Sequence, residues 1–191
     1  MMAGAFDQHT AGGLAAATGL HRHPLRVGVL AGTGTALAAL LLPALHHPQL
    51  RLVWNASASV PLGLYGIEPG AVPRVGDLVA VRPPPALTRF MAERRYVEAN
   101  ALLVKPVAGL AGATVCRTNM HITLDGRAVA TALPRDRFGR PLPRWSGCQR
   151  LARNQILLIA PALRASFDSR YFGPVDRAQV IGRAIPLWTW S

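Results

Sequence analysis

The chain has 191 residues, of which 50% are hydrophobic, 16% charged and 6% aromatic. That is too apolar for a disordered protein and too short for several large domains, so one domain with attachments is the starting reading. The 18 Gly and 16 Pro follow no repeat, which excludes collagen-like and low-complexity chains, and they cut the sequence into pieces too short for a helical bundle. A net charge of +12 could suit nucleic acid or anionic lipid. The arginines, however, are scattered through Pro-rich stretches, with no basic helix and no patch interleaved with aromatics. Nucleic acid is therefore not expected as a partner.

Residues 1–24, rich in Gly and Ala, read as a flexible tail. They lead into VGVLAGTGTALAALLLPAL (27–45), a stretch without a charge. As a helix it would span about 28 Å, close to the roughly 30 Å of a bilayer core. A buried core helix of this length would carry a polar face, and this stretch has only two Thr. A cleaved secretory signal would be shorter and end in an Ala-x-Ala pattern, which PALHHPQL does not supply. The stretch is thus expected to be an uncleaved transmembrane signal-anchor over 25–47, with Pro43 kinking its last turn or marking its exit. Arg22 and Arg26 before the span, against Arg51 after it, favour an inside N-terminus. The tail is then cytoplasmic and residues 51–191 face outward.

Residues 51–191 read as one mainly β domain with one short helix. RVGDLVAVR (74–82) alternates apolar and polar residues and stops at three consecutive prolines. LTRFMAERRYVEAN (87–100) is the helical segment. In TVCRTNMHITLDGRAVATAL (114–133), Asp125-Gly126 between two alternating runs predicts a hairpin. The Pro- and Gly-rich piece 134–147 reads as an excursion between strands, and QILLIA (155–160) and QVIGRAIPLW (179–188) are further strands. In an oxidising compartment Cys116 and Cys148 could pair as a structural clip; the other reading is two buried free thiols. Neither has an activating neighbour that would make it catalytic.

Of 21 basic residues a single one, Lys105, is Lys, and it sits in the apolar context ALLVKPVAGLAG. Arg does not lose its proton in a protein, whereas a desolvated Lys titrates near neutrality and can serve as a general base. The alternative is a strand lysine whose ammonium snorkels to solvent. A nucleophile is available in NASASVPLGLY (55–65), where Pro61 and Gly63 would hold Ser59 in a fixed bend that exposes a hydroxyl and a backbone N–H together; otherwise the segment is a polar linker. The third segment, SFDSRYFGPV (166–175), is a polar-aromatic cluster, or a loop tied down by Asp168 and Arg170.

Taken in order, these three segments closely resemble the signal peptidase I superfamily of serine–lysine proteases, nearest to its TraF-type branch of conjugative-transfer peptidases. The pattern N-x-S/T-x-S-x-P-x-G-L-Y of that branch is matched throughout 55–65, and the resemblance spans the anchor and essentially all of 51–183. It implies a signal-peptidase-like β domain in which Ser59 is the nucleophile and Lys105 its neutral base. Ser57 then matches the hydroxyl that helps the Ser59 amide form an oxyanion hole. Ser166 matches the residue bonded to the lysine amine, while Asp168 and Arg170 match the supporting polar network, Asp168 orienting rather than acting as base. The sequence departs from the common lysine motif at Pro106, Ala111 and Ala113, and Ser169 stands where the branch often has Gly. No cofactor or metal is called for: His9, His21, His23, His46, His47 and His121 show no zinc spacing.

The function so implied is a membrane-anchored serine endopeptidase in the bacterial inner membrane, its catalytic domain facing the periplasm. Its partner would be a membrane-inserted precursor or pilin-like substrate. A general type I signal peptidase and a non-catalytic β scaffold of a secretion or conjugation assembly are the alternatives.

Overall fold

The computed structural model describes residues 24–45 and 50–190. The tail expected over 1–24 lies outside them except for Pro24, as do positions 46 and 47 of the expected anchor. Helix α1, Pro24–Leu45, contains the charge-free run 27–45 and begins before it, taking in Arg26. Its side chains are described over residues 28–42, and all of these are exposed, including Val29, Leu30, Leu37 and Leu40. Thr33 and Thr35 donate their hydroxyls to the carbonyls of Val29 and Ala31, each at 2.9 Å, so the two polar side chains are satisfied within the helix. Among the described residues no helix is long and apolar enough to cross a membrane.

The second unit is mainly β. In chain order its elements are β1 (Leu52–Asn55), β2 (Leu62–Pro69), β3 (Leu78–Val81), α2 (Pro85–Glu93), β4 (Leu103–Gly109), β5 (Thr114–Thr118), β6 (His121–Leu124), β7 (Arg127–Thr131), β8 (Gly147–Arg150), β9 (Gln155–Leu158), α3 (Ser169–Phe172), β10 (Val175–Asp176) and β11 (Val180–Trp190). Seven strands form an antiparallel sheet in the order β1-β2-β11-β3-β4-β9-β10, and four form a second, β7-β6-β5-β8.

Period-2 alternation explains the burial. In β2 every second residue, Gly63, Tyr65 and Ile67, is buried, and Tyr65 and Ile67 meet Val53, Ala80, Val104 and Ala184 in one apolar cluster. Val79 and Val81 of β3 join Val107, Ile156 and Leu158 in a second. A third cluster, with Val115 and Ile122 from the small sheet, Leu157 from the large one and Ile159 just beyond β9, packs the two sheets together. Lys105 stands in β4 opposite Val79, in a strand with one further strand on each side.

Several boundaries differ from the sequence reading, each for a local reason. The helix expected over 87–100 is α2, which stops at Glu93 because Arg95 N–H bonds to Ala92 O and Tyr96 N–H to Met91 O, both at 2.9 Å. These two bonds close a Schellman motif, which ends a helix by satisfying its last carbonyls. One short helix was expected, and there are more: α3, capped by Asp168, and a 3₁₀ turn at Arg177–Gln179 capped by Asp176. The strand expected over 74–82 begins only at Leu78, since Arg74 N–H bonds to the Asp77 carboxylate at 2.8 Å and Gly76 sits at φ 93°. Around the predicted hairpin, Asp125 and Gly126 have φ of 48° and 77°, the paired positive values of a type I′ turn. The run before it folds once more, at Asn119–Met120, so 114–133 holds three strands. Cys116 and Cys148 stand opposite one another in the β5–β8 pair and are joined by a disulfide.

Candidate catalytic site

The loop between β1 and β2 carries Ser57 and Ser59, and its shape is set by Asn55. The Asn55 Nδ2 lies 2.8, 3.2 and 3.0 Å from the carbonyls of Ser57, Val60 and Pro61, while its Oδ1 accepts from the Ser57 amide at 3.2 Å. Tyr65 braces the same turn by donating its hydroxyl to Pro61 O at 2.7 Å. Gly63 is required where the loop enters β2. Its φ is 130°, and a Cβ there would lie 2.1 Å from the Trp188 carbonyl of β11. The result is a rigid bend that buries Ser59 to 8% exposure.

Three side chains from three segments converge. Lys105 Nζ is in hydrogen-bond contact with Ser59 Oγ and lies 3.0 Å from Ser166 Oγ. Ser166 Oγ is also 3.0 Å from Ser59 Oγ, which closes a triangle. Lys105 is only 2% exposed, so the snorkelling alternative does not describe this structure. Burial brings its pKa down from 10.5 to about 8; the charge of Asp168 works against that shift and the charge of Arg170 adds to it. An amine in this position is neutral often enough at pH 7 to accept a proton.

Asp168 and Arg170 do not touch Ser59 or Lys105 among the described hydrogen bonds. They form a bidentate pair, Nε to Oδ1 at 2.8 Å and Nη2 to Oδ2 at 2.7 Å, with both residues essentially inaccessible to solvent. The pair holds the chain around Ser166. Arg170 donates to the carbonyls of Ala160, Leu163 and Arg164, and Asp168 accepts from the Ala160 amide at 2.9 Å. Ser57 makes no described hydrogen bond to the triangle. It lines the same cavity, but its hydroxyl donates to Asn55 Oδ1 at 3.1 Å, a bond it must release to serve an oxyanion.

Two residues that the sequence reading did not single out support the site. Asn55 belongs to the matched pattern, but its role as organiser of the loop was not assigned. Arg117 was missed entirely. It is 2% exposed and donates to the Arg170 carbonyl, linking the small sheet to the segment behind Ser166. Its signal was present in the alternation of β5, which puts Arg117 in phase with the buried Val115. The cavity beside the triangle has a volume of about 280 Å³, and Met91, Leu103, Leu133, Leu142 and Phe167 are among its walls.

A rigid serine, a buried amine of lowered pKa and an open cavity beside them are the parts of a serine–lysine hydrolase. Comparison with known proteins places the chain among peptidases. The family model described as signal peptidase, peptidase S26, matches residues 25–190. The chain belongs to this family. It is 30% identical over 163 residues to a plasmid transfer protein TraF of Escherichia coli, covering 81% of this chain and 91% of the relative. It is 34% identical to a conjugal transfer protein TraF of Agrobacterium tumefaciens (strain 15955), covering 88% of this chain and 98% of that one. These relatives put it in the TraF-type branch. A crystal structure of a signal peptidase I from Enterococcus faecalis V583 matches with a TM-score of 0.37 and 17% identity, over 59% of this chain and 97% of the other. The family implies a serine peptidase of the signal peptidase type.

Proposed function

We propose that this chain is a membrane-anchored serine endopeptidase of conjugative transfer, which removes a leader or terminal segment from a secreted or pilin-like precursor. The observation that carries the reading is the buried triangle of Ser59, Lys105 and Ser166 around an amine held near pKa 8. The printed names of the TraF relatives, plasmid transfer and conjugal transfer proteins, support the biological setting.

In this mechanism neutral Lys105 takes the Ser59 proton as Oγ attacks the scissile carbonyl. Ser166 accepts a hydrogen bond from Nζ and so aims its lone pair at Ser59. The negative charge that develops on the carbonyl oxygen meets the Ser59 amide and, once it turns from Asn55, the Ser57 hydroxyl. One such donor is worth about 3 kcal/mol in the transition state. Lys105 then returns the proton to the leaving amine, and water or a substrate amine resolves the acyl-enzyme.

The anchor is argued from the uncharged run 27–45, which would hold the domain at the inner membrane with the site facing the periplasm. Trp54, Trp188 and Trp190 support a membrane-proximal face. They are exposed and in mutual ring contact, with centroids 5.6 and 5.7 Å apart, on β1 and β11, and β1 is where the chain enters the domain. Indole rings favour the bilayer interface. The test is co-expression with a candidate pilin precursor, read by intact mass. Wild type should shorten the precursor and Ser59→Ala should leave it whole. Equal processing by both removes the proposal, and cleavage of ordinary signal-peptide precursors alone would replace it with a general signal peptidase.

A further inference from the structure

The cavity beside Ser59 carries cations that the proton transfer does not use. The Schellman motif ending α2 puts one residue in the left-handed region, where Gly is the usual choice; here it is Arg95, at φ 55°. Strained backbone of this kind concentrates at functional sites. Arg95 is exposed, has no hydrogen-bond or ion-pair partner for its side chain among the described residues, and lines the same cavity as Ser59 and Lys105. Arg137, from the 134–147 excursion, lines it as well, with its guanidinium over the Phe138 ring at 4.7 Å. Asp136 is the one acid in the lining, and its carboxylate is already occupied. It accepts from the Tyr96 hydroxyl at 2.7 Å, from Arg140 Nε at 2.7 Å, and from the amides of Phe138 and Arg140 at 2.9 Å each. Among the described residues the cavity therefore offers guanidinium donors and no free carboxylate to match them.

We propose that Arg95 and Arg137 form a carboxylate-recognition subsite, so that the preferred substrate carries an Asp or Glu side chain within the segment the cavity receives. The assignment rests on the peptidase reading and extends it to specificity. Guanidinium and carboxylate match in fork geometry, and a hydrogen bond of that kind to a charged group changes affinity by about tenfold or more.

The test uses the full chain in detergent with peptides of small residues in which each position in turn is Glu, Gln or Lys. Cleavage is followed by mass spectrometry, and the affinity of the same peptides is measured on the Ser59→Ala variant. At one position Glu should exceed Gln by about tenfold, in affinity and in kcat/KM. Arg95→Glu with Arg137→Glu should turn that preference toward Lys, while Arg95→Gly with Arg137→Gln, which also relieves the backbone, should abolish it with folding intact. Glu and Gln equal within about twofold at every position, or a preference untouched by both variants, overturns the subsite. A Glu preference in binding without any cleavage would count against the peptidase reading and leave the subsite standing.

Discussion

Raising the pH from 6 to 8 should increase kcat/KM for precursor cleavage about fiftyfold, because the free enzyme reacts through neutral Lys105. Its pKa of about 8 follows chiefly from burial at 2% exposure, opposed by the Asp168 charge and assisted by that of Arg170. The neutral fraction is then about 1% at pH 6, about 9% at pH 7 and about 50% at pH 8, after which less than a twofold gain remains. A lysine at its ordinary 10.5 would be neutral about 300-fold less often at pH 7, so burial supplies much of the available base. The assay is initial-rate cleavage of a quenched-fluorescence peptide across pH 5.5 to 9.5, under conditions that report kcat/KM. A flat profile from 6 to 8 would refute the reasoning, and so would a slope of tenfold per unit persisting beyond pH 9.

The same shift governs stability. Between pH 8 and 10.5 the unfolded chain binds one more proton at Lys105 than the folded chain, so wild-type stability rises with pH through that window. Lys105→Met lacks this dependence and should be more stable than wild type by up to about 3 kcal/mol at pH 7, the advantage vanishing near pH 10.5, as measured by urea unfolding. Asp168→Asn leaves Arg170 buried without its counter-charge and should cost about 3–5 kcal/mol by thermal denaturation. In whatever fraction folds, loss of the carboxylate lowers the Lys105 pKa further, so the acid limb of the rate profile should move below pH 8. Gly63→Ala drives a Cβ to 2.1 Å from Trp188 O at φ 130°, and about 1–3 kcal/mol of backbone strain adds to that clash. Circular dichroism should show a largely unfolded variant.

The residues proposed to carry the chemistry could be picked out in the sequence because each had a reason visible in one dimension. The lone Lys105 stood in an apolar run, Ser59 stood two residues before Pro61, and Asp168 and Arg170 stood two residues apart. The Asp125-Gly126 hairpin was legible because turn chemistry is local. Where the structure departs from the sequence reading, the chain carries no such marker. Nothing near Arg94 announces that α2 stops there, since Arg95 occupies a position that Gly usually marks. Asn119–Met120 hides a turn inside an alternating run. Strand β4 contains Pro106, which argues against a central strand, yet the strand runs on to Gly109, with the Val107 N–H going to Asp77 O at 2.9 Å and a register shift against β9. The bond from Ser57 to Asn55 depends on a rotamer that the pattern does not specify.

The central claim is that Lys105 deprotonates Ser59. A peptide thioester of small residues, mixed with the solubilised full chain at pH 8 and quenched in acid, tests it by intact mass and peptide mapping. Wild type should gain one acyl group on Ser59, while Ser59→Ala and Lys105→Arg should gain none, since arginine keeps its proton. An acyl group of equal yield in Lys105→Arg, or one located on Ser57 or Ser166, would contradict the account.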